Sequence, residues 1–446
     1  WRLVLRVTGT AGEPADVDLP YAPEIFPGAD EPRVAFRDRY WLKPLAPDGL
    51  ALRVNSRLPV DERGTYHAAR LRRSAYLASR TGAGLRDVVL YDSFNGKQYS
   101  DAPRAVHEEL SARGADLEHV WVTRDGQAPV PAGTRTVEAN SREWFEALAT
   151  SRYVVANTHL PAWLRRREGQ MVAQTWHGIG FKRVAFDMDS VQFANPGYLE
   201  KLEQEAPNWS FLVSPSSFCT EIMRRAFRYD GEICEVGSPR NDVLFTGDRA
   251  ELTARVHRAL GTDPGRKILL YAPTWRDNEF YGPGRYKFDM RLDVSQLPAS
   301  LQDEYLLLVR RHPNTVDDLL GQDSDFVFDV ANYPDVRDLL AAADVLVTDY
   351  STISLDFLNT GRPVLFYAYD LANYRDNLRG FYFDLRDGPG PVLETTGELV
   401  DALQDLAAAG SQYRERYGKF RQVYCHAEDG HATARVVDRL LRDRSG

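Results

Sequence analysis

From residue 87 onward, short unbroken apolar runs alternate with stretches of helical period, and this rhythm restricts the fold more than any other feature. Residues 88–91, 119–122, 153–156, 171–176 and 209–214 have the length and composition of strands buried on both faces. Between them, residues 102–113, 144–150 and 217–227 repeat apolar side chains at helical spacing. Such alternation requires a parallel sheet covered on both sides. A stretch at 246–266 reads as an amphipathic helix and a Gly/Pro linker, after which strands recur at 267–272, 305–309, 326–328, 345–347 and 363–367, with a helix at 335–343. Residues 396–442 read as helices. Two α/β halves of similar size imply a cleft between them, and open parallel sheets bind ligands beyond the carboxyl ends of their strands. The expected division is a small β-rich module over 1–64, where short alternating runs sit between prolines, a linking helix over 65–86, and two halves over 87–247 and 248–446.

The bulk composition narrows the partners. A chain of 446 residues exceeds what one core serves. Its net charge of −9 and isoelectric point near 5.6 argue against broad, sequence-blind nucleic-acid binding, which needs a basic surface. Cys219, Cys234 and Cys425 are odd in number and widely spaced, so neither a disulfide framework nor a zinc site is expected, and a reducing, cytoplasmic compartment fits. No apolar run reaches the roughly 18–20 residues that span a bilayer, and the start, from Trp1, lacks a signal-peptide layout. Basic charge is local instead. Arg70, Arg72, Arg73 and Arg80 on the linking helix, and the run Trp163-Leu164-Arg165-Arg166-Arg167, suit either a solvated face or contact with an anionic membrane or polymer.

Polar side chains crowd the places where strands end. The run 345–347 stops at Thr348-Asp349-Tyr350-Ser351-Thr352, and Leu355, Phe357 and Leu358 then supply a helix face with Ser351 or Thr352 as its N-cap. A strand delivering a hydroxyl-rich turn to a helix N-terminus suits a phosphate, because unpaired N–H groups and the helix dipole point at one spot. Asp349 and Asp356 in the same turn exceed what a simple cap requires. After 171–176 come His177-Gly178-Ile179-Gly180. A histidine there suits a general base near neutral pH and the glycines let backbone approach a ligand, while the plainer reading is a surface histidine steadied by Trp176. Arg276 follows the strand 267–272; its planar fork suits phosphate oxygens or, equally, a nearby carboxylate such as Asp277. Arg310, Arg311 and His312 follow 305–309, a cation cluster costly to bury without an anion. Residues 237–242, including Gly237, Arg240, Asn241 and Asp242, close the first half and read first as a turn.

Several classes find no support. The chain has no His-Glu-x-x-His and no paired Cys-x-x-Cys, so a metal-free site is expected. It has no Walker loop, no Gly-x-Gly-x-x-Gly and no Gly-x-Ser-x-Gly elbow, against an NTPase, a dinucleotide oxidoreductase and a serine hydrolase.

Taken together, Gln174-Thr175-Trp176-His177-Gly178 with Lys182, Ser214-Pro215-Ser216-Ser217-Phe218, the 237–242 turn, residues 271–276, Arg311-His312-Pro313 and residues 348–356 resemble the CDP-glycerol glycerophosphotransferase family, the teichoic acid polymerases and primases. Their order and approximate spacing agree from about residue 87 to the C-terminus. The resemblance implies a GT-B architecture, two Rossmann-like domains facing a cleft, with no metal or cofactor required. It makes His177 the candidate base for the acceptor hydroxyl, and Arg276 and His312 the groups that hold the donor diphosphate. Ser351 and Thr352 would bind phosphate oxygens and Asp356 would lie near donor hydroxyls, with Gly178, Arg240, Arg311 and Asp349 also at the substrate. The implied reaction is attack of an acceptor hydroxyl on the β-phosphorus of CDP-glycerol, expelling CMP and extending a lipid-linked or polyol-phosphate acceptor at the inner face of the membrane. Two departures stand out: Ser351-Thr352 where many relatives have Ser-Ser, and Ile179-Gly180-Phe181-Lys182 where they have Thr-Pro-Leu-Lys. Three other readings stay open: a CDP-ribitol or other polyol-phosphate donor, a sugar-nucleotide glycosyltransferase on the same fold, and a non-catalytic module that binds an anionic polymer or a membrane.

Overall fold

The computed structural model describes residues 57–442, except 125, 127, 189–196, 277, 283, 284, 313, 314, 316 and 318–324, together with the backbone of five short strands before residue 57. The β-rich module expected over 1–64 lies largely outside the described residues. The early strands that are described pair antiparallel, Val4–Val7 with Ala15–Asp18, and Val34–Phe36 with Tyr40–Leu45 and Gly49–Val54. The linking helix runs from Gly64 to Gly82, with a wider π-type turn over Arg72–Leu77.

The first sheet is built from β1 (Arg86–Asp92), β2 (Glu118–Thr123), β3 (Arg135–Glu138), β4 (Ser151–Ala156), β5 (Met171–Gln174), β6 (Phe211–Ser214) and β7 (Glu232–Glu235). Helices α1 (Asp101–Ala112), α2 (Arg142–Thr150) and α3 (Ser217–Ala226) cover it. All of its pairs are parallel and the spatial order is β7-β6-β5-β4-β1-β2-β3. Burial explains why the strand runs are unbroken. Val88 and Leu90 enter the core on one face of the sheet, Val89 and Tyr91 the core on the other, as the two-residue period of a strand requires.

After α4 (Arg249–Leu260) the second sheet repeats the plan with β8 (Lys267–Ala272), β9 (Tyr305–Val309), β10 (Val327–Asp329), β11 (Val345–Thr348), β12 (Val364–Tyr367) and β13 (Val392–Leu393). Its order is β10-β9-β8-β11-β12-β13, again parallel throughout. Helices α5 (Val336–Ala342), α6 (Ile353–Leu358), α7 (Thr396–Gln404) and α8 (Leu406–Tyr424) belong to this half. In each sheet the strand order reverses beside the first strand, between β4 and β1 and between β11 and β8, and ligands favour such switch points. The last helix, α9 (Ala432–Leu441), returns to the first sheet and buries Val436, Val437 and Leu440 against it, although the sequence reading grouped the whole tail with the second half. Among the described residues, no helix is long and apolar enough to cross a membrane.

Candidate active site

Strand ends from both sheets converge on one cavity of about 690 Å³ between the halves. On the first side, β5 ends at Gln174, whose buried amide shapes the loop that follows. Its Nε2 donates to the Thr158 carbonyl at 2.9 Å, and its Oε1 accepts from the Trp176 N–H at 3.0 Å. Trp176 is held at φ 51°, a left-handed conformation costly for an aromatic residue, and its ring stacks on His177 with centroids 4.7 Å apart. Nδ1 of His177 lies 2.8 Å from the Asn157 carbonyl oxygen, which can only accept, so Nδ1 carries the proton and Nε2 keeps its lone pair. The ring opens into the cavity, but protein from both halves surrounds it, and that desolvation lowers its pKa. His177 is therefore a neutral ring at neutral pH.

On the second side the turn after β11 faces this loop, and Ser351 and Thr352 line the cavity. Of the two hydroxyls expected to cap α6, Thr352 has helical dihedrals and makes no cap bond, whereas Ser351 Oγ accepts from the Ile353 N–H at 3.4 Å. Asp349 and Arg276 also depart from the ligand-contacting roles expected of them. Arg276, 4% exposed, donates Nε and Nη2 to Asp370, each at 2.8 Å, and Nη1 to Asp349 at 2.9 Å. Asp349 also accepts from the backbone N–H of Thr274 at 2.8 Å and of Tyr350 at 2.6 Å. The guanidinium fork is thus committed to carboxylates beneath the turn, and the pair ties the β8 loop to the β11 loop. Neither side chain lines the cavity.

Arg311 is drawn into a similar pairing with Asp329 at the end of β10, though it borders the cavity. His312 keeps its ring in the cavity, stacked on Trp275 at 5.3 Å. Surrounding protein, then Lys182, His177, Arg310 and Lys97, pull its pKa down to about 3. It faces the cavity as a neutral ring.

Of the contacts between the halves, two border the cavity. The first is between the 177–180 loop and the turn after β11: a Cβ at Gly178 would lie 3.0 Å from Thr352 Oγ1, and one at Gly180 would lie 2.7 Å from Thr352 Cγ2. The second contact is an ion pair. Arg240, 7% exposed, donates to Asp356 through Nη2 at 2.9 Å, and Asn241 donates to Asp356 at 3.0 Å and to Glu428 at 2.8 Å. Arg240, Gly178 and Asp356 all line the cavity, but the charge of Asp356 is engaged across the cleft.

Residues 77–442 match the family described as CDP-Glycerol:Poly(glycerophosphate) glycerophosphotransferase. The chain belongs to that family. It is 37% identical over 364 residues to the teichoic acid poly(glycerol phosphate) polymerase of Bacillus subtilis (strain 168), a match covering 80% of this chain and 49% of that protein. With the teichoic acid glycerol-phosphate transferase of Staphylococcus aureus (strain NCTC 8325 / PS 47) it shares 36% identity over 369 residues, 80% of this chain and 93% of the other. The solved structure of the wall teichoic acid polymerase TagF superposes with a TM-score of 0.77 at 33% identity, over 85% of this chain and 94% of that one. A variant of TagF soaked with CDPG matches with the same TM-score of 0.77. The chain spans about half the length of the Bacillus subtilis polymerase.

In this glycerophosphotransferase-family chain, sequence reading passed over several residues of the site. Lys97 and Arg379 line the cavity and add positive charge, although neither belongs to a strand-end motif. Arg310, read from the sequence as part of a cation cluster, lines it too. Its Nη1 donates to the carbonyls of Ala331 and Tyr333, each at 2.8 Å, and burial pulls its pKa down to about 10. Asn157 escaped notice because its contribution to His177 is a backbone carbonyl. The strand end at Ala156 was its only sequence signal.

Proposed function

We propose that this chain transfers glycerol phosphate from CDP-glycerol to a glycerol-phosphate or lipid-linked acceptor, releasing CMP, in the synthesis of teichoic acid or a related cell-wall polymer. The observation that carries this reading is the neutral His177, with Nε2 unprotonated, in a cation-lined cavity opposite Ser351 and Thr352. Nε2 takes the proton of the acceptor hydroxyl. The resulting oxygen forms a bond to the β-phosphorus, the bond from that phosphorus to the bridging oxygen breaks, and CMP leaves with the electron pair. Lys97, Arg310 and the hydroxyls of Ser351 and Thr352 face the charge that builds on the diphosphate, and His312 donates or accepts as a neutral ring. Positioning and charge stabilisation carry such transfers, so side-chain cations suffice without a metal.

The two sheets with a shared cavity support a GT-B arrangement in which the first half takes the acceptor and the second the donor. The early antiparallel strands support a separate β-rich module before it. Incubation with CDP-glycerol and an acceptor is expected to release CMP, with His177→Ala lowering kcat by about 10²–10⁴-fold. An unchanged rate in that variant removes His177 as the base. Competition by CDP-ribitol separates glycerol from ribitol donors, and release of UDP or GDP instead of CMP would mark a sugar-nucleotide enzyme.

Membrane contact at the inner face belongs to the same proposal. Its support is a surface where both basic stretches meet. Arg72 lies over the Trp163 ring at 5.5 Å, Tyr76 packs edge-on to Trp163 at 4.9 Å, and Val60, Tyr66 and Leu77 stand exposed nearby on the linking segment.

A further inference from the structure

Asp101 opens α1 at the carboxyl edge of the first sheet and lines the cavity, yet no motif drew attention to it. Its backbone is held at φ 62°, a conformation that costs an ordinary residue energy and that only Gly, Asn and Asp adopt readily. The strain aims the carboxylate. Oδ1 accepts from the Ala102 N–H at 2.7 Å, leaving Oδ2 toward Arg240, whose Nη1 is 4.0 Å away. Arg240 in turn pairs with Asp356 on the helix that follows Ser351 and Thr352, and its Nη2 lies 3.2 Å from where a Gly178 Cβ would stand, beside His177.

We propose that Asp101 is a positioning residue of the transfer, holding Arg240 between the His177 loop and the Asp356 end of the phosphate turn and supporting the imidazolium that His177 becomes when it takes the acceptor proton. This rests on His177 being the base. The logic is one of opposed charges. The charged and titratable groups around the His177 ring include Asp101 from α1, Arg240 from the 239–241 turn, His159 beyond Trp176 and His312 from the second half, with Lys97 and Lys182 lining the same cavity. Asp101 favours the protonated ring, whereas Arg240 and His159 oppose it. Before proton transfer Arg240 helps keep His177 neutral; as the proton arrives, Asp101 offsets the two neighbouring positive charges. One carboxylate oxygen bonds the first turn of α1 and the other is turned toward Arg240 at the edge of the cavity.

Asp101→Asn removes the charge alone, because asparagine tolerates the left-handed backbone and its Oδ1 can still accept from Ala102. The expected result is a kcat lower by roughly tenfold, an acid limb of kcat/KM displaced by about one unit to lower pH, and an unchanged KM for CDP-glycerol. Arg240→Gln is expected to move the limb the other way. The His177 imidazole is also titrated by NMR in the resting protein, which needs no turnover. There its pKa falls in Asp101→Asn and rises in Arg240→Gln. Unmoved NMR pKa values, or an Asp101→Asn enzyme with wild-type kcat and pH limb, overturn the proposal. Failure of the base assignment shows separately, as full activity in His177→Ala, and leaves the NMR arm as the test of the Asp101 field. If Asp101→Asn does not fold, Asp101→Gly, which suits the left-handed backbone, replaces it, and an unmoved His177 pKa in that variant overturns the proposal.

Discussion

Glu428 sits where the chain crosses back from the second half to the first, 8% exposed, with Oε1 accepting from Asn241 at 2.8 Å and Oε2 from the Ser238 N–H at 3.1 Å. Burial, reinforced by the nearby Asp356, pushes its pKa up to about 8 despite those bonds. An acid raised in the folded state is neutral there while the unfolded chain ionises, so folding loses stability as pH rises from the unfolded value of about 4.5 toward 8, and the loss is complete above that. Relative to wild type, Glu428→Gln should therefore gain unfolding free energy between pH 4.5 and 8, on the order of a few kcal/mol. Denaturant unfolding of both proteins across that range measures the gain, and a difference that does not change with pH would refute the neutral carboxyl. Single residues were the least legible part of the sequence. Arg276 offered a phosphate fork or a carboxylate partner on equal terms, and only the fold shows that Asp349 and Asp370, 73 and 94 positions away, claim it. Glu428 carried no signal, since its partners lie almost 190 positions upstream.

Elements were far more legible, for a physical reason. Strands buried on both faces must be apolar without interruption, so β8 and β9 coincide with the runs 267–272 and 305–309. The strands that escaped, β3, β7 and β13, are the outer or shortest ones, where charged residues are tolerated because one edge meets solvent or a helix end. Glycines in the 177–180 loop were read as room for a ligand, but their room is taken by the opposing turn. Gly180→Ala would place its methyl 2.7 Å from Thr352 Cγ2, and the β-branched threonine has little freedom to move aside. Overpacking of this kind costs about 1–3 kcal/mol, and here it falls on the closure of the cleft. Activity should drop at least about tenfold, more than thermal stability suggests, and adding Thr352→Ser, which deletes the offending methyl, should restore most of it. A double variant no better than Gly180→Ala alone would show that the contact does not set the spacing of the halves.

At the scale of the whole molecule, net charge and local charge point to different surfaces. The chain carries −9 overall, yet Arg72, Arg80, Arg165 and Arg167 gather on one side of the first half, around Trp163. Distance in sequence hid this: the two basic stretches are some 90 positions apart and meet only because the linking helix packs on α2 and Trp163 stacks on Phe145 at 5.5 Å. Several of these arginines donate to backbone carbonyls, which satisfies their N–H groups but leaves the positive charge uncompensated: Arg167 bonds the carbonyls of Ala149 and Ala83, and Arg165 that of Ala162. Exposed Tyr66 and Leu77 add apolar anchors on the same segment. An acceptor carried on a lipid would be presented to the cavity if this face rests on an anionic bilayer, each basic residue near the surface contributing about 1 kcal/mol. Sedimentation with phosphatidylglycerol-containing vesicles should capture the protein at low ionic strength. Capture should weaken sharply as salt shortens the screening length below about 8 Å, and Arg72→Glu with Arg73→Glu should abolish it while CMP release on a soluble glycerol-phosphate acceptor continues. Vesicle binding that ignores both salt and the charge reversal would place the membrane contact elsewhere on the molecule.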